Sequence, residues 1–521
     1  MRRSNLTPAL VVLALLSGCA RCGAPRFQPP PERFIPATHA GALVIPVVAD
    51  ASRQAATLLT ALAARPGGEE LGLVRAGLGA QLTFDPFDPA SLEGAGVDVK
   101  RGLAFAELAV RPGEAGTPLL IIPVGDAARL EAQVTRLARE RLGAADRGEQ
   151  AAGGSSFTVW RRAPGEAALL SVVTTEGSLL VAIGPSGPDV LRVVLALDPT
   201  VSMAEAPTWK RGKAALGDGL PVLLFLPRDS PALLDLPRND GLAGGLSATA
   251  TGVRLAAAAL LGSQESRLRP LAGTGDGSGQ ASLLNPDTVL ALRLSADPAA
   301  TVRLASELRG LPLIEPVGAI AAQLVSPIDV GATPVITADL GGLVSGRGLD
   351  QPVKLARLEA LAGLKDPAAF TVACDQLMAL LGAPAGKGSW KMGSGEAELA
   401  WTVQGKTVAL TAGTAGGLPP LLARLKGGGK GFEPPAGTST ALAGGLFGLV
   451  LHGDNLVKSL RALPPSAFGA GPDGVMARSV AEKLAGSLGA GAALSLRADL
   501  PAGAIKLTLD LQLGKPVAPP P

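Results

Sequence analysis

Tyrosine is absent from this sequence, histidine occurs twice, at His39 and His452, and cysteine three times, at Cys19, Cys22 and Cys374. Each scarcity excludes something. Two isolated histidines cannot form the His-Glu-x-x-His helix of a zinc peptidase, and so few Cys and His give a four-ligand zinc site no local set of donors. Aromatic residues make up 3% of the chain, so the aromatics that stack bases in single-strand nucleic-acid channels are missing. An excess of one charge is missing too. Residues 1–18 carry Arg2 and Arg3 and no acid, and without them basic and acidic residues nearly balance. No electrostatic footprint for nucleic acid follows. What remains plentiful is Ala, Val and Leu, which must build the core with few aromatic anchors.

The nucleotide and hydrolase motifs are also absent. "LGAPAGKGS", Leu381 to Ser389, has Leu where a P-loop needs its first Gly, and Gly388 where it needs Ser or Thr. "GTGDGSG", Gly273 to Gly279, is glycine-rich but opens no apolar helix, and no Gly-x-Ser-x-Gly elbow occurs. No cofactor and no catalytic constellation is expected. The carboxylates gathered in "FDPFDPASLEGAGVD", namely Asp85, Asp88, Glu93 and Asp98, allow a calcium reading, since hard cations collect loop oxygens. The structural alternative is that Asp-Pro twice initiates a turn and that Asp88 or Ser91 caps a short helix, and this is the expectation. His452 ends a strand-like apolar run and is expected to pack or cap, and His39 falls in a segment that reads as a tether. Cys374, in the helical stretch Phe370 to Leu381, reads as a small buried hydrophobe.

The first residues decide where the chain goes. Arg2 and Arg3 precede eight apolar residues, Ala9 to Leu16, and Ser17-Gly18 follow just before Cys19. That is the anatomy of an export signal. The apolar run is about half the roughly 20 residues a membrane span requires. Cys19-Ala20-Arg21-Cys22 has the spacing of a redox or metal pair, but such a pair belongs at a strand-to-helix junction inside a folded domain, and this one ends a signal.

Leu16-Ser17-Gly18-Cys19 resembles the lipobox of bacterial lipoproteins. The resemblance covers this segment alone. It implies cleavage between Gly18 and Cys19 and a diacylglyceryl thioether on Cys19. It also implies an acylated amino terminus, and several acyl chains hold stably where one does not. Ala20, standing where this family's inner-membrane members have Asp, implies delivery to the outer membrane. The expected partners are therefore the membrane, through that lipid, and an envelope protein or an apolar ligand.

The body reads as α+β in two tandem homologous units, each a largely antiparallel sheet with helices on one face. The duplication shows as internal similarity. "LVIPVVADASRQ" from Leu43 matches "LALRLSADPAAT" from Leu290, and "GVDVKRGLAFAEL" from Gly96 answers to "PIDVGATPVITADL" from Pro327. "GEAALLSVVTTEGSLLVAIG" from Gly165 matches "GEAELAWTVQGKTVALTAG" from Gly395, each followed by an apolar helical stretch. "ALGDGLPVLLFL" from Ala215 matches "ALAGGLFGLVLH" from Ala441, and "TGVRLAAAALLG" matches "GAIKLTLDLQLG". The order is the same throughout. The expected divisions are a signal peptide over 1–18, a Pro-rich lipid-anchored tether over 19–40, unit 1 over 41–262, a Gly/Ser-rich linker over 263–283, unit 2 over 284–514 and a Pro-rich tail over 515–521. "FDP..SL...GVD" within repeated α+β units also resembles uncharacterised bacterial envelope proteins, a resemblance that implies no activity.

Within unit 1, strands are expected at Ala42 to Ala49, Leu103 to Val110, Leu119 to Val124, Ala168 to Thr174, Ser178 to Ile183 and Val222 to Leu226. A helix over Asp126 to Leu142 places Leu130, Val134 and Leu137 on one face. Asp50 and Asp297 fit helix N-caps, and "TTEGS" and "VQGKT" read as hairpin turns. Function follows as a lipid-anchored envelope protein with a binding or scaffolding role. The alternatives are a carrier of apolar ligands, for which an open aliphatic cavity would speak, and an enzyme of unrecognised type.

Overall fold

The computed structural model describes the chain except for residues 1–27, 66–67, 83, 110–115, 153, 231–232, 234–238, 270–277, 296, 298–322, 325, 330–334, 340–356, 383–385, 387, 394–396, 463–474, 477, 481, 483–490 and 515–521. The signal, Cys19, Cys22, the tail and the helix expected after Asp297 lie outside the described residues. So do most of Gly273 to Gly279 and part of the loop from Leu381 to Ser389. The fold mixes helix and strand. Two compact units meet in sequence at Gly262 and Ser263, with Ala502–Lys506 belonging to the first.

In unit 1 the strands are β1 (Gly41–Ile45), β2 (Leu103–Leu108), β3 (Thr117–Pro123), β4 (Asp146–Ala152), β5 (Ser155–Arg161), β6 (Leu170–Thr175), β7 (Ser178–Ile183), β8 (Val222–Pro227), β9 (Gly241–Thr249) and β10 (Gly252–Leu260). They pair in the order β10-β9-β8-β1-β2-β3-β7-β6-β5-β4, every pairing antiparallel. The helices are α1 (Val48–Ala63), α2 (Glu69–Leu82), α3 (Pro89–Gly94), α4 (Ala127–Arg136), α5 (Gly187–Leu195) and α6 (Pro207–Leu216).

Helices cover both faces of this sheet, which corrects the expectation of one. Leu119 and Ile121 of β3 pack with Val190, Leu191 and Val194 of α5 and Trp209 of α6. Leu120 and Ile122 point the other way, onto Val48 and Ala49 of α1, Leu92 of α3, and Leu130 and Val134 of α4. Successive strand residues face opposite sides, so an unbroken apolar run such as Leu119 to Ile122 belongs to a strand buried on both sides.

Other boundaries move for identifiable reasons. The first strand stops at Ile45, because Pro46 ends the run and α1 begins at Val48. Asp50 therefore sits in the first turn, paired with Arg53 at 2.7 Å, and Val47 occupies the cap position. The tether expected over 19–40 is folded from Pro31 onward. Pro31–Phe34 form a 3-10 turn, and Phe34 and Ile35 lie in the unit 1 core.

In unit 2 the strands are β11 (Leu290–Leu294), β12 (Val335–Asp339), β13 (Arg357–Gly363), β14 (Ser389–Met392), β15 (Ala397–Gln404), β16 (Thr407–Thr414), β17 (Phe447–His452) and β18 (Ala493–Asp499). Their order is β18-β17-β11-β12-β13-β16-β15-β14, again antiparallel throughout. Helices α7 (Pro367–Leu380), α8 (Leu418–Leu425) and α9 (Gly453–Ala462) accompany them. Here too both faces carry a core. Leu421 of α8 packs with Ala291, Val335, Leu361 and Ala409, and Phe370, Cys374 and Met378 of α7 pack with Ala362, Val408 and Trp401. The linker expected over 263–283 is partly structured, since Ala281 is buried in the unit 2 core.

The two predicted hairpins form. Thr175 pairs with Ser178 across Glu176-Gly177, where both residues have positive φ (47° and 72°), as a tight primed turn requires. Gln404 pairs with Thr407 across Gly405-Lys406, with Gly405 at φ 60°.

Candidate functional site

Unit 2 has two places where its residues depart from an ordinary core, one on each sheet face. On the face that takes α8, β12 and β13 bring Asp339 opposite Arg357 and Thr337 opposite Glu359, and β16 sets Thr411 beside Glu359. Asp339 and Glu359 are 3% and 1% exposed. Burying a carboxylate demands a partner. Arg424 of α8 reaches Glu359 at 2.5 Å and donates from Nε to the carbonyl of Leu283 at 2.8 Å. Asn285 ties the segment before β11 to both acids, its backbone N–H donating to Glu359 at 2.9 Å and its side-chain amide to Asp339 at 2.6 Å. Arg357 lies 3.8 Å from Asp339. Glu359 Oε1 is buried and has no hydrogen-bond partner among the described residues.

On the opposite face, α7 and the sheet leave a cavity of about 320 Å³. Phe370, Cys374, Leu377, Leu399, Trp401 and Leu410 are among its lining residues, and none of the side chains lining it is charged. Trp390 stacks on Trp401 at 5.8 Å and donates from its indole to Asp375 at 2.7 Å, which fixes that wall. The Cys374 thiol is pushed above its ordinary range by burial, against an opposing hydrogen bond from Trp401. It is held as thiol, without the thiolate character that nucleophilic cysteines need. The cavity can take hydrocarbon, and its volume is near the lower bound for ligand pockets.

A larger cleft of about 570 Å³ in unit 1 lies between the start of α1 and the loop from Gly217 to Pro221. In its wall Arg53 is held by Asp50, and the Lys213 ammonium lies 5.5 Å from the Trp209 ring.

The residues singled out in sequence have structural work. Asp88 caps α3, accepting from the N–H groups of Ala90 and Ser91 at 3.1 and 3.2 Å, and Asp85 accepts from Phe87 and pairs with Arg75 at 2.6 Å. Asp98 accepts from the N–H of Lys100. Their carboxylates serve turns, as the repeated Asp-Pro implied. His452 accepts the Asn455 N–H at 3.4 Å at the start of α9 and packs edge-on to Phe432. Burial lowers its pKa, with Asp454 and Glu433 opposing.

His39, expected in the tether, is instead buried in unit 1. Its Nδ1 donates to the Pro36 carbonyl at 2.9 Å and its ring lies 5.8 Å from Phe225. Burial lowers its pKa, against that same carbonyl. Sequence reasoning missed Asp339, Glu359 and Arg424, which are far apart in the chain. The sequence carried no signal for them, since the matched stretches set Glu107 against Asp339 and only the strand register sets an apolar residue there.

Among the described residues no helix is long and apolar enough to cross a membrane, and no group of metal-ligating side chains is assembled. No protein-family profile and no curated protein matches the chain. Among solved structures, crystal form III of TP0453 is similar at 9% identity, covering 45% of this chain and 81% of that one at a TM-score of 0.25. Crystal form IV of TP0453 is similar at 11% identity, covering 47% and 85% at a TM-score of 0.24. Superpositions of that quality carry no functional information.

Proposed function

We propose that the chain is a lipid-anchored protein of the bacterial envelope, held in the outer membrane where the cell has one, with a binding or scaffolding role. The observation that carries this is Leu16-Ser17-Gly18-Cys19 behind a short apolar run with a basic start. The structure supports the non-catalytic half through what the chemically capable residues do. His39 and His452 make packing and capping contacts, Cys374 is a buried thiol, and Asp85, Asp88 and Asp98 organise turns. Radioactive palmitate fed to cells should label the wild-type chain and leave Cys19→Ala unlabelled. Equal labelling of the two would end the assignment.

The two units are read as copies of one ancestral unit. In support, β8-β1-β2-β3-β7-β6-β5 of unit 1 and β17-β11-β12-β13-β16-β15-β14 of unit 2 follow the same order, as do the sequence matches.

A second reading, a carrier of apolar ligands, is favoured by the apolar cavity beside α7. With no charged lining side chain to orient a head group, the occupant it would favour is an aliphatic chain. Residues 24–521, purified and weighed native against denatured, decide between the two. Excess native mass that extracts into organic solvent supports the carrier, and a bare chain leaves the scaffold.

A further inference from the structure

The buried charges of unit 2 stand where unit 1 is apolar. Val44 pairs with Ala104 as Ala291 pairs with Thr337, and the registers then run in parallel across both sheets. Ala104, Ile121 and Leu180 of unit 1 correspond to Thr337, Glu359 and Thr411, while Ala106 and Leu119 correspond to Asp339 and Arg357. On the covering helix, α5 packs Val190, Leu191 and Val194 onto the unit 1 sheet, whereas α8 brings Arg424 beside Leu421 to the unit 2 sheet. The unit 1 residues of this set are all buried in one apolar cluster.

We infer that the cluster around Glu359 and Arg424 is an identity mark that keeps the helix and leading segment of each unit on its own sheet. The inference rests on reading the two units as copies. Two units with one strand order on one chain present each other's elements at high effective concentration, and inter-domain misassembly is the characteristic failure of such chains. Helix α8 on the unit 1 sheet would press the Arg424 guanidinium against Ile121 and find no carboxylate. Helix α5 on the unit 2 sheet would offer Glu359 only apolar side chains and remove its cation. Either exchange leaves a buried charge unpaired, the costly case, whereas the correct pairing is near neutral against an apolar core. Asn285 extends the mark to the segment before β11, which must hydrogen-bond both acids, while the unit 1 segment offers Phe34 and Ile35. Glu359 Oε1, left without a partner, fits an arrangement that serves discrimination more than stability.

The test makes unit 2 resemble unit 1 in the mature chain: Thr337→Ala, Asp339→Ala, Arg357→Leu, Glu359→Ile, Thr411→Leu and Arg424→Val together. After unfolding in urea and dilution, recovery of native monomer should fall at least about twofold. Cysteines introduced into α5 and β13 should become joined on oxidation, and the correctly folded fraction should melt close to wild type. Arg424→Lys alone keeps the charge and should refold faithfully even if it melts lower. Wild-type recovery by the combined variant overturns the inference. So does its complete failure to fold, which would make the cluster a stability element, and so does misassembly of Arg424→Lys. The duplication is tested separately by superposing the two units in a crystal structure. Unrelated strand positions there would remove the premise, whatever the refolding shows.

Discussion

Arg424 meets Glu359 at 2.5 Å with the carboxylate 1% exposed, so removing one partner differs sharply from removing both. Arg424→Val leaves a buried uncompensated carboxylate and should destabilise the chain by about 3–5 kcal/mol in urea titrations. Adding Glu359→Ile should restore much of that loss, though the Asn285 N–H then lacks its acceptor. A double-mutant cycle whose terms simply add would mean that the two side chains do not interact. His39 makes a second residue-level prediction. Its folded pKa lies below the ordinary value near 6.5 because of burial. The unfolded chain therefore takes up a proton before the folded chain does. Stability from the neutral buried ring is fully present above about pH 6.5 and is lost as pH falls through that value toward the lowered one. His39→Leu should flatten the melting temperature between about pH 5 and 7 relative to wild type. An unchanged slope would place the protonation elsewhere.

At the scale of elements, the hairpin between β6 and β7 strains a glutamate. Glu176 has φ 47°, a conformation that Asn or Gly accepts more readily. Glu176→Asn should stabilise unit 1 by roughly 0.5–1 kcal/mol in thermal or urea melts. Loss of stability would mean that the Glu176 side chain makes a contact worth more than the strain. Helix α3 offers the opposite case, since Asp88→Ala removes a cap and should cost about 1 kcal/mol. Calcium should leave the melting temperature of the wild type unchanged, because Asp85 and Asp88 are committed to Arg75 and to backbone N–H groups.

Much at this scale was readable in advance. Leu103 to Leu108, Glu107 apart, and Leu179 to Ile183 are apolar runs between turn residues, and Leu130, Val134 and Leu137 mark the buried stripe of α4 and the turn that continues it. Strand β4 was not readable, because "DRGEQAA" is a polar stretch paired along one side only, through β5. The second helical layer was readable in principle from the run Leu119 to Ile122, which no one-sided sheet would bury. The ionic cluster was not, since its members come together only once the strand register is known.

On the scale of the whole molecule, the proposed lipid anchor would set how the body meets a membrane. Pro31–Phe34 already pack, so if Cys19 carries the lipid, residues 20–30 are all that separates anchor from core. Fully extended at about 3.6 Å each, they reach roughly 40 Å. The body is then confined near the bilayer surface, which suits a scaffold for envelope neighbours and equally a carrier that exchanges an acyl chain with the membrane. The claim can be checked by truncation. A chain starting at residue 28 keeps Phe34, Ile35 and His39 and should unfold in urea like the longer chain. One starting at residue 41 loses the buried side chains of Phe34 and Ile35, each contributing about 1.5–3 kcal/mol, and strips the contacts that Ile35 and Ala37 make with Met203 and Val201. It should be destabilised by several kcal/mol, roughly the sum of those burials. Equal stability of the two chains would return residues 31–40 to the tether and lengthen the reach from the membrane accordingly.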